Sequence, residues 1–121
     1  MDFLTGSTFP LSLVRRKVMI APGSIEEYLY LLKHGNWLSF WGHSNTLAIA
    51  NQLTGVDLSP KEARPALSLN DQDFPALYGK EFRHCWILSP DYSVGFRPQI
   101  GQEVEAKDIQ GWQVLHMEWV C

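Results

Sequence analysis

The chain has 121 residues, of which 45% are hydrophobic and five are Trp, and its formal net charge is -3 at pH 7. This length and apolar content favour one folded domain spanning residues 1–121. The acidic balance excludes general electrostatic binding to DNA, so a nucleotide would be held by a few placed groups.

Membrane and export signals are missing from the sequence. No segment approaches the roughly 18 unbroken apolar residues of a membrane span, and no basic, then apolar, leader begins the chain. Cys85 and Cys121 form neither a metal-binding spacing nor a disulfide framework. We therefore expect a soluble cytoplasmic protein that carries no metal and no cofactor.

The first predicted strand begins at Phe3 and Leu4 and leads into a small, hydroxyl-rich turn. The turn consists of Thr5, Gly6, Ser7 and Thr8. Hydroxyls and amides in such a turn can hydrogen-bond phosphate oxygens, although a plain surface turn has the same composition. The basic run Arg15–Lys17 before the next strand, Val18–Ile20, is either a solvated edge or a rim that attracts an anion.

A helix is predicted to begin after Ser24. Ser24 and Glu27 have the spacing of a capping box, and Gly35 is placed to end the helix. His34 then lies in the last turn, where a cationic side chain suits the helix dipole. His34 is most simply a surface residue.

The stretch from Ser39 to Gly55 predicts a strand, a turn and a second helix. Asn36–Trp41 is bulky and apolar, as expected of a central buried strand, and the helix that follows would stop at Gly55. Gly42 and His43 fall at the junction, where free helix amides favour an anion. His43 is either a neutral proton-transfer group there or a plain helix cap that packs against Trp41.

The second half of the sequence predicts further strands. We expect a short strand over 64–69, a turn over 70–73, a strand-like run over 74–88 apart from Gly79, and loops with one hairpin over 89–107. A closing strand over 112–120 would place Leu115, Met117 and Trp119 on one face and Val114, His116, Glu118 and Val120 on the other. Arg83 lies within apolar surroundings and needs a ligand or an ion-pair partner such as Asp73. The predicted fold class is α/β (α+β), a single domain with a mixed central sheet of about five strands and two or more helices.

The sequence resembles the viral ring nucleases, a family of type III anti-CRISPR proteins of archaeal viruses and phages with bacterial relatives. The family pattern of a strand, Gly-His-x-x-Thr and a helix ending in Gly matches Gly42, His43, Thr46 and Gly55. The family's downstream Arg, Asp and Arg match Arg64, Asp73 and Arg83, and Asn51 falls at a position where relatives also carry Asn.

The resemblance implies a homodimer that binds cyclic tetra-adenylate and cleaves it without metal. His43 would protonate the departing 5′-oxygen or act as a proton shuttle, and Arg83 would stabilise the charge on the phosphorane. The ligand-binding positions it implies are Thr5, Gly6, Ser7, Thr8, Gly42, Ser44, Asn45, Thr46 and Arg64. The setting would be the cytoplasm of a prokaryotic or virus-infected cell, and the strand 112–120 could pair across the dimer axis.

One position departs from the family pattern. Active members carry Glu three residues after the Arg that matches Arg83, and this chain has Trp86 there. The departure motivates a second hypothesis, a protein that binds a cyclic nucleotide without cleaving it. A third hypothesis, an interaction protein of a virus or mobile element on the same fold, rests on the aromatic residues Tyr92, Trp112 and Trp119.

Overall fold

The computed structural model describes residues 1–42, 46–62, 65–97 and 104–120. Within these ranges the strands are β1 (Asp2–Gly6), β2 (Val18–Gly23), β3 (Asn36–Ser39), β4 (Ser68–Leu69), β5 (Pro75–Leu77), β6 (Lys80–Glu81), β7 (His84–Tyr92) and β8 (Ile109–Trp119). The helices are α1 (Ile25–His34) and α2 (Leu47–Thr54), with 3₁₀ turns at Leu11–Leu13 and Ala106–Asp108.

A five-stranded mixed sheet forms the centre of the fold. Its strand order is β2-β8-β7-β1-β3, and β1 runs parallel to both of its neighbours, β3 and β7. β8 is antiparallel to both β7 and β2. A second, three-stranded antiparallel sheet has the order β4-β5-β6. The predicted fold class, a mixed α+β domain with a sheet of five strands and two helices, is confirmed.

The two sheet faces carry separate apolar cores. On one face, α1 and α2 pack against the sheet through a cluster that includes Tyr28, Leu32 and Ala50. On the other face, the small sheet packs through Phe74 and Leu77. Successive residues of each central strand alternate between the two cores, as the period of a strand requires. The fold therefore has three layers, with the five-stranded sheet between the helices and the small sheet.

Both helices follow their sequence signals. The Ser24 hydroxyl accepts a hydrogen bond from the Glu27 backbone N–H (3.1 Å), and the Ser24 backbone N–H donates to the Glu27 carboxylate (3.1 Å). This reciprocal pair is the predicted capping box. Gly55 follows α2 with a left-handed φ of 72°, a conformation that glycine adopts without steric cost. Both helix predictions are confirmed.

The expectation that residues 36–41 form a central strand is wrong. β3 ends at Ser39 and lies at one edge of the sheet, whereas β7 occupies the middle. Phe40 and Trp41 are nonetheless buried, one in each core, because they follow the strand into the space between sheet and flanking layers. Burial of a bulky run therefore does not require a central strand.

The expectation of one strand-like run over 74–88 is also wrong, because a hairpin divides it. Leu77 pairs with Lys80, and the two residues between them, Tyr78 and Gly79, have φ values of 51° and 78°. Positive φ at both central residues is typical of the two-residue hairpin turn whose twist matches that of its strands. The hairpin reverses the chain, so β7 starts only at His84.

The last strand, β8, begins earlier than expected but has the predicted faces. Leu115, Met117 and Trp119 face the small-sheet core, while Val114 faces the helix core. Because β8 pairs with β2 along one edge and with β7 along the other, it has no free edge at residues 114–119. The idea that this strand pairs across a dimer axis is therefore wrong.

Arg16 serves neither as a solvated edge residue nor as an anion-attracting rim. Its guanidinium donates hydrogen bonds to the backbone carbonyls of Gln72 (2.7 Å) and Val120 (3.0 Å) and lies 4.0 Å from the centre of the Phe74 ring. The side chain thereby joins the segment before β2 to the small sheet and to the end of β8.

None of the helices in the described part of the chain is long and apolar enough to cross a membrane.

The buried thiol of Cys85 offers a test of the sheet. Cys85 is inaccessible in β7, and burial raises the pKa of its thiol far above the ordinary value. We expect a Cys121→Ser variant, which retains Cys85 alone, to resist a disulfide reagent at pH 8 and to react fully once unfolded in urea. Rapid reaction of the folded variant would contradict the placement of β7 in the sheet.

Candidate functional site

The carboxyl ends of β1 and β3 lie side by side. Thr5 is the register partner of Ser39, and the Phe40 backbone N–H donates a 3.0 Å hydrogen bond to the Thr5 carbonyl. The turn after β1 therefore adjoins the segment that leads from β3 towards α2. In open sheets this edge, outside the carboxyl ends of parallel strands, is where ligands bind. We refer to it below as the carboxyl-end edge.

Two of the predicted ligand-binding residues at this edge have structural roles. The Thr5 hydroxyl is buried in β1 and forms a 2.5 Å hydrogen bond with the Tyr28 hydroxyl. Gly6 lies beneath Phe40, and a β-carbon added there would come within 2.8 Å of the Phe40 ring. Ser7 is half-buried and Thr8 is exposed. Of the four residues, Ser7 and Thr8 are the ones that keep solvent-exposed surface.

On the β3 side, Gly42 is exposed and has open space around it. Thr46 is buried and precedes the first residue of α2 as its N-cap. The predicted site residues His43, Ser44, Asn45 and Arg64 lie outside the described residues. The described geometry thus gives the two ends of the Gly-His-x-x-Thr segment, Gly42 and Thr46, at the carboxyl-end edge.

A set of hydrogen bonds holds the end of β3 against the segment after α2. The Ser39 hydroxyl donates to the Leu58 carbonyl (2.5 Å) and accepts from the Trp41 backbone N–H (3.1 Å). The Asn51 side-chain oxygen accepts from the Leu58 backbone N–H (2.8 Å). Asn51 therefore anchors the segment around Leu58 to α2. This structural role accounts for an Asn at position 51 without any contact to a ligand.

Arg83 lies at the opposite end of the sheet from Gly42. Leu4 and Cys85 are register partners, so Arg83 is level with Asp2, at the amino end of β1. Gly6, at the carboxyl end, is four residues further along, which corresponds to about 13 Å of strand. The hairpin of β5 and β6 is the reason, because it delivers Arg83 to the start of β7.

The surroundings of Arg83 differ from those that the sequence indicated. Its side chain is exposed, forms a 3.2 Å ion pair with Glu81 and lies 4.3 Å from the centre of the Phe74 ring. An exposed ion pair of this kind contributes little to stability. Within one chain, the described residues do not bring Arg83 to the carboxyl-end edge.

A second cluster, which the sequence reasoning did not assemble, lies on the helix-side face of β7 and β8. The His84 Nδ1 and His116 Nε2 atoms are 2.9 Å apart, and the two ring planes differ by 17°. The ring centroids are 5.2 Å apart, a separation that places the two nitrogens on the line between the centroids. The two imidazoles therefore point at each other in their own planes, with one N–H donating to the other ring's lone pair.

Trp86 holds His116 in this arrangement. The indole and imidazole planes lie within 9° of each other with centroids 4.4 Å apart, which is offset stacking between directly paired residues of neighbouring strands. Burial lowers the pKa of His116 below its ordinary value, and the neighbouring His84 lowers it further to a smaller extent. Glu118 and Glu27 act in the opposite direction. The net effect favours the neutral form of the His116 imidazole.

The pairing of His84 with His116 depends on the register of two strands that are distant in sequence, so spacing alone gives no signal for it. The alternation in β8 does place His116 and Glu118 on one face. Only the β7–β8 register adds His84, which is directly opposite Glu118 and diagonal to His116.

No protein-family model matches the chain, and the curated proteins include none with significant sequence similarity to it.

The Thr5–Tyr28 hydrogen bond separates a structural role of Thr5 from a ligand-binding one. Thr5→Val or Tyr28→Phe alone leaves one buried hydroxyl without its partner, and we expect each to lower the free energy of unfolding by about 1–3 kcal/mol. The double variant removes both hydroxyls and should cost less than the sum of the single variants. Urea unfolding of all four proteins measures this coupling, and strict additivity would contradict the structural role.

Proposed function

We propose that the protein is a metal-independent ring nuclease that binds and cleaves a cyclic oligoadenylate, cyclic tetra-adenylate in the first instance, and thereby counteracts type III CRISPR signalling. One observation supports the proposal: the parallel pairing of β1 and β3 brings the end of β1 at Thr5 against Phe40, in the segment that leads from β3 towards α2. These are the two segments that the family resemblance marks as ligand-contacting. The proposed setting is the cytoplasm of a prokaryotic or virus-infected cell.

The carboxyl-end edge suits a phosphate ligand for two physical reasons. The free backbone N–H groups at the start of α2 favour an anion, and the helix dipole adds to that preference. Gly42 leaves open space where a phosphate could approach the backbone closely. The hydroxyl of Thr8 is exposed and supplies a further hydrogen-bond donor on the β1 side.

The proposed reaction is an internal transesterification. A ribose 2′-hydroxyl attacks the adjacent phosphorus and gives its proton to the imidazole of His43, which acts as a proton shuttle, while the bond from phosphorus to the 5′-oxygen breaks. The 5′-oxygen receives a proton, for which His43 is the proposed donor. The products are linear di-adenylates with a cyclic 2′,3′-phosphate at one end and a 5′-hydroxyl at the other. No water and no metal is consumed in this step.

Arg83 takes no part in the proposed chemistry within the same chain, because it lies at the amino end of the sheet. Stabilisation of the phosphorane would then rest on the backbone N–H groups in the first turn of α2, which can act as fixed donors in the manner of an oxyanion hole. Arg83→Gln is therefore a useful comparison variant, and we expect it to retain cleavage.

We expect the purified protein to convert cyclic tetra-adenylate to di-adenylates in the presence of EDTA. Chromatography of the reaction mixture over time measures the conversion. His43→Ala should slow cleavage about 10²- to 10⁴-fold, the usual contribution of a general acid. His34→Ala is the matched control, since His34 is an exposed histidine at the end of α1, and it should cleave at the wild-type rate.

Three other results would each overturn part of the proposal. Equal cleavage by wild type and His43→Ala would exclude the role of His43. Loss of cleavage in Arg83→Gln with intact binding would show that Arg83 reaches the reacting phosphate, for instance from a second copy. No binding of cyclic tetra-adenylate or cyclic hexa-adenylate would exclude a cyclic oligoadenylate ligand.

A non-catalytic cyclic-nucleotide-binding protein is the second candidate, and Trp86 favours it. Trp86 is 3% exposed and stacked on His116, so the position at which active family members carry Glu is committed to packing. Retention of intact cyclic tetra-adenylate after long incubation would establish this function. Rapid product formation would exclude it.

The proposed homodimer would form through β2. Among the described residues this edge strand pairs with β8 alone. Met19 and Ile20, which point to opposite faces of the sheet, are each 60% exposed. Natural edge strands are commonly protected by charged residues, and the central part of β2 carries none. Antiparallel pairing of β2 with its copy across a two-fold axis would cover the open edge of the strand and the exposed side chains of Met19 and Ile20. The resulting symmetry would match that of a two-fold symmetric ring ligand.

We expect Ile20→Lys to shift the protein from dimer to monomer in sedimentation at equal concentration, because a charge on the paired edge opposes strand addition. Leu11→Lys is the control, since Leu11 is 86% exposed and lies outside β2. A monomeric wild-type protein, or an Ile20→Lys variant that remains dimeric, would contradict pairing through β2.

A further inference from the structure

A group of metal-ligating side chains lies on the helix-side face of β7 and β8. It consists of His84, His116 and Glu118, whose potential ligand atoms all lie within 4.8 Å of one another. His84 is directly opposite Glu118 across the strand pair, and His116 is two residues from Glu118 on the same strand. The backbone of two paired central strands therefore fixes the three side chains as a set.

We propose that His84, His116 and Glu118 bind a divalent transition-metal ion such as Zn²⁺, Co²⁺ or Ni²⁺. Two imidazoles and one carboxylate form a donor set that suits these ions, whereas Mg²⁺ and Ca²⁺ prefer oxygen ligands alone. Three protein ligands leave at least one coordination position for water or another exchangeable ligand.

The distances between the ligand atoms are close to those that one bound ion requires. Ligand atoms bound at about 2.0–2.2 Å to one ion lie roughly 2.9–3.5 Å apart at tetrahedral or right angles. The His84 and His116 nitrogens, 2.9 Å apart, already meet this range, and the Glu118 oxygen, 3.9 Å from His84 Nδ1, must move inward slightly. Glu118 has a half-exposed side chain, so rotamers that achieve this movement are accessible to it.

Metal binding would break the hydrogen bond between His84 and His116, because the ion would take the place of the bridging proton. Each ring must turn so that both lone pairs point at one common position, and the bridging proton must move to the other nitrogen of its ring. Both imidazoles are then neutral and retain one N–H each.

The open coordination position would face a cleft beneath α1. The cleft has a volume of about 470 Å³ and is lined by Met1, Glu27, Tyr30, Leu31, Trp86 and His116. A partly apolar cleft beside three protein ligands is the arrangement of an exchangeable site rather than of a closed structural one. A small ligand that coordinates the ion could therefore enter from the cleft.

This inference does not rest on the proposed nuclease activity. His84 aligns with Phe3 near the amino end of β1, away from the Gly42 turn, and the cluster shares no residue with the carboxyl-end edge. Cleavage in EDTA tests the nuclease while any bound metal is removed. Metal binding is tested in the absence of nucleotide, so each proposal can fail alone.

The experiment is a titration of untagged, chelator-treated protein with Zn²⁺ by calorimetry and with Co²⁺ by visible absorption at pH 7.5. We expect one ion per chain and weaker binding at pH 5.5, where protons compete for the imidazoles. His84→Ala and His116→Ala should each weaken binding by more than the roughly 10- to 100-fold loss typical of an outer-shell partner. Glu118→Gln should weaken it as well.

His34→Ala is the matched control and should bind as the wild type does. Should a variant fail to fold, the wild type alone decides the question, since Zn²⁺ must shift the ring resonances of His84 and His116 and leave those of His34 in place. No binding at pH 7.5, or binding that is unchanged in both His84→Ala and His116→Ala, would overturn the proposal. Perturbation of His34 in place of the pair would do the same.

Discussion

The position of β1 between two parallel neighbours is the constraint on which the rest of the structure depends. Phe3, Leu4 and Thr5 are wholly buried, and they point in alternation to the helix core, the small-sheet core and the helix core again. β1 also pairs with β3 on one side and β7 on the other. Both layers, and both halves of the sheet, therefore meet on this short strand.

Because β1, β3 and β7 run in one direction, the sheet has two chemically distinct ends. The carboxyl ends of β1 and β3 meet at the Gly42 turn, whereas Arg83 and Asp2 lie at the amino ends. A parallel arrangement places the segments that follow its strands at one end of the sheet, so the residues after β1 and those after β3 leave the sheet on the same side. The same arrangement separates Arg83 from them.

Local signals in the sequence predicted local structure well. The Ser24–Glu27 capping box, Gly55 after α2 and the alternation from Val114 to Trp119 depend only on neighbouring residues, and the structure confirms all three. The Tyr78–Gly79 turn also had a local signal, a glycine inside a strand-like run, but the apolar residues on both sides concealed it.

Features that depend on strand order were beyond the sequence. The edge position of β3 and the distance of Arg83 from Gly42 follow from pairings between distant segments. The contact of His84 with His116 likewise requires the β7–β8 register, since 32 residues separate them. Residue types were therefore sufficient to nominate the Gly42 turn, but not to decide which charged and titratable side chains lie near it.

Trp86 affects both proposed sites, because it occupies the position of the family glutamate and also stacks on His116. Its indole fills the space above β8 as far as Gly23, where an added β-carbon would lie 2.7 Å from the ring. A glutamate in its place would bury a carboxylate beside the helix core, at a cost in stability unless it were paired. In the proposed nuclease, the carboxyl-end edge would act without a carboxylate from position 86, and proton transfer would depend on His43. The same indole holds the His116 ring beside His84 and Glu118, with which it would bind the proposed metal ion.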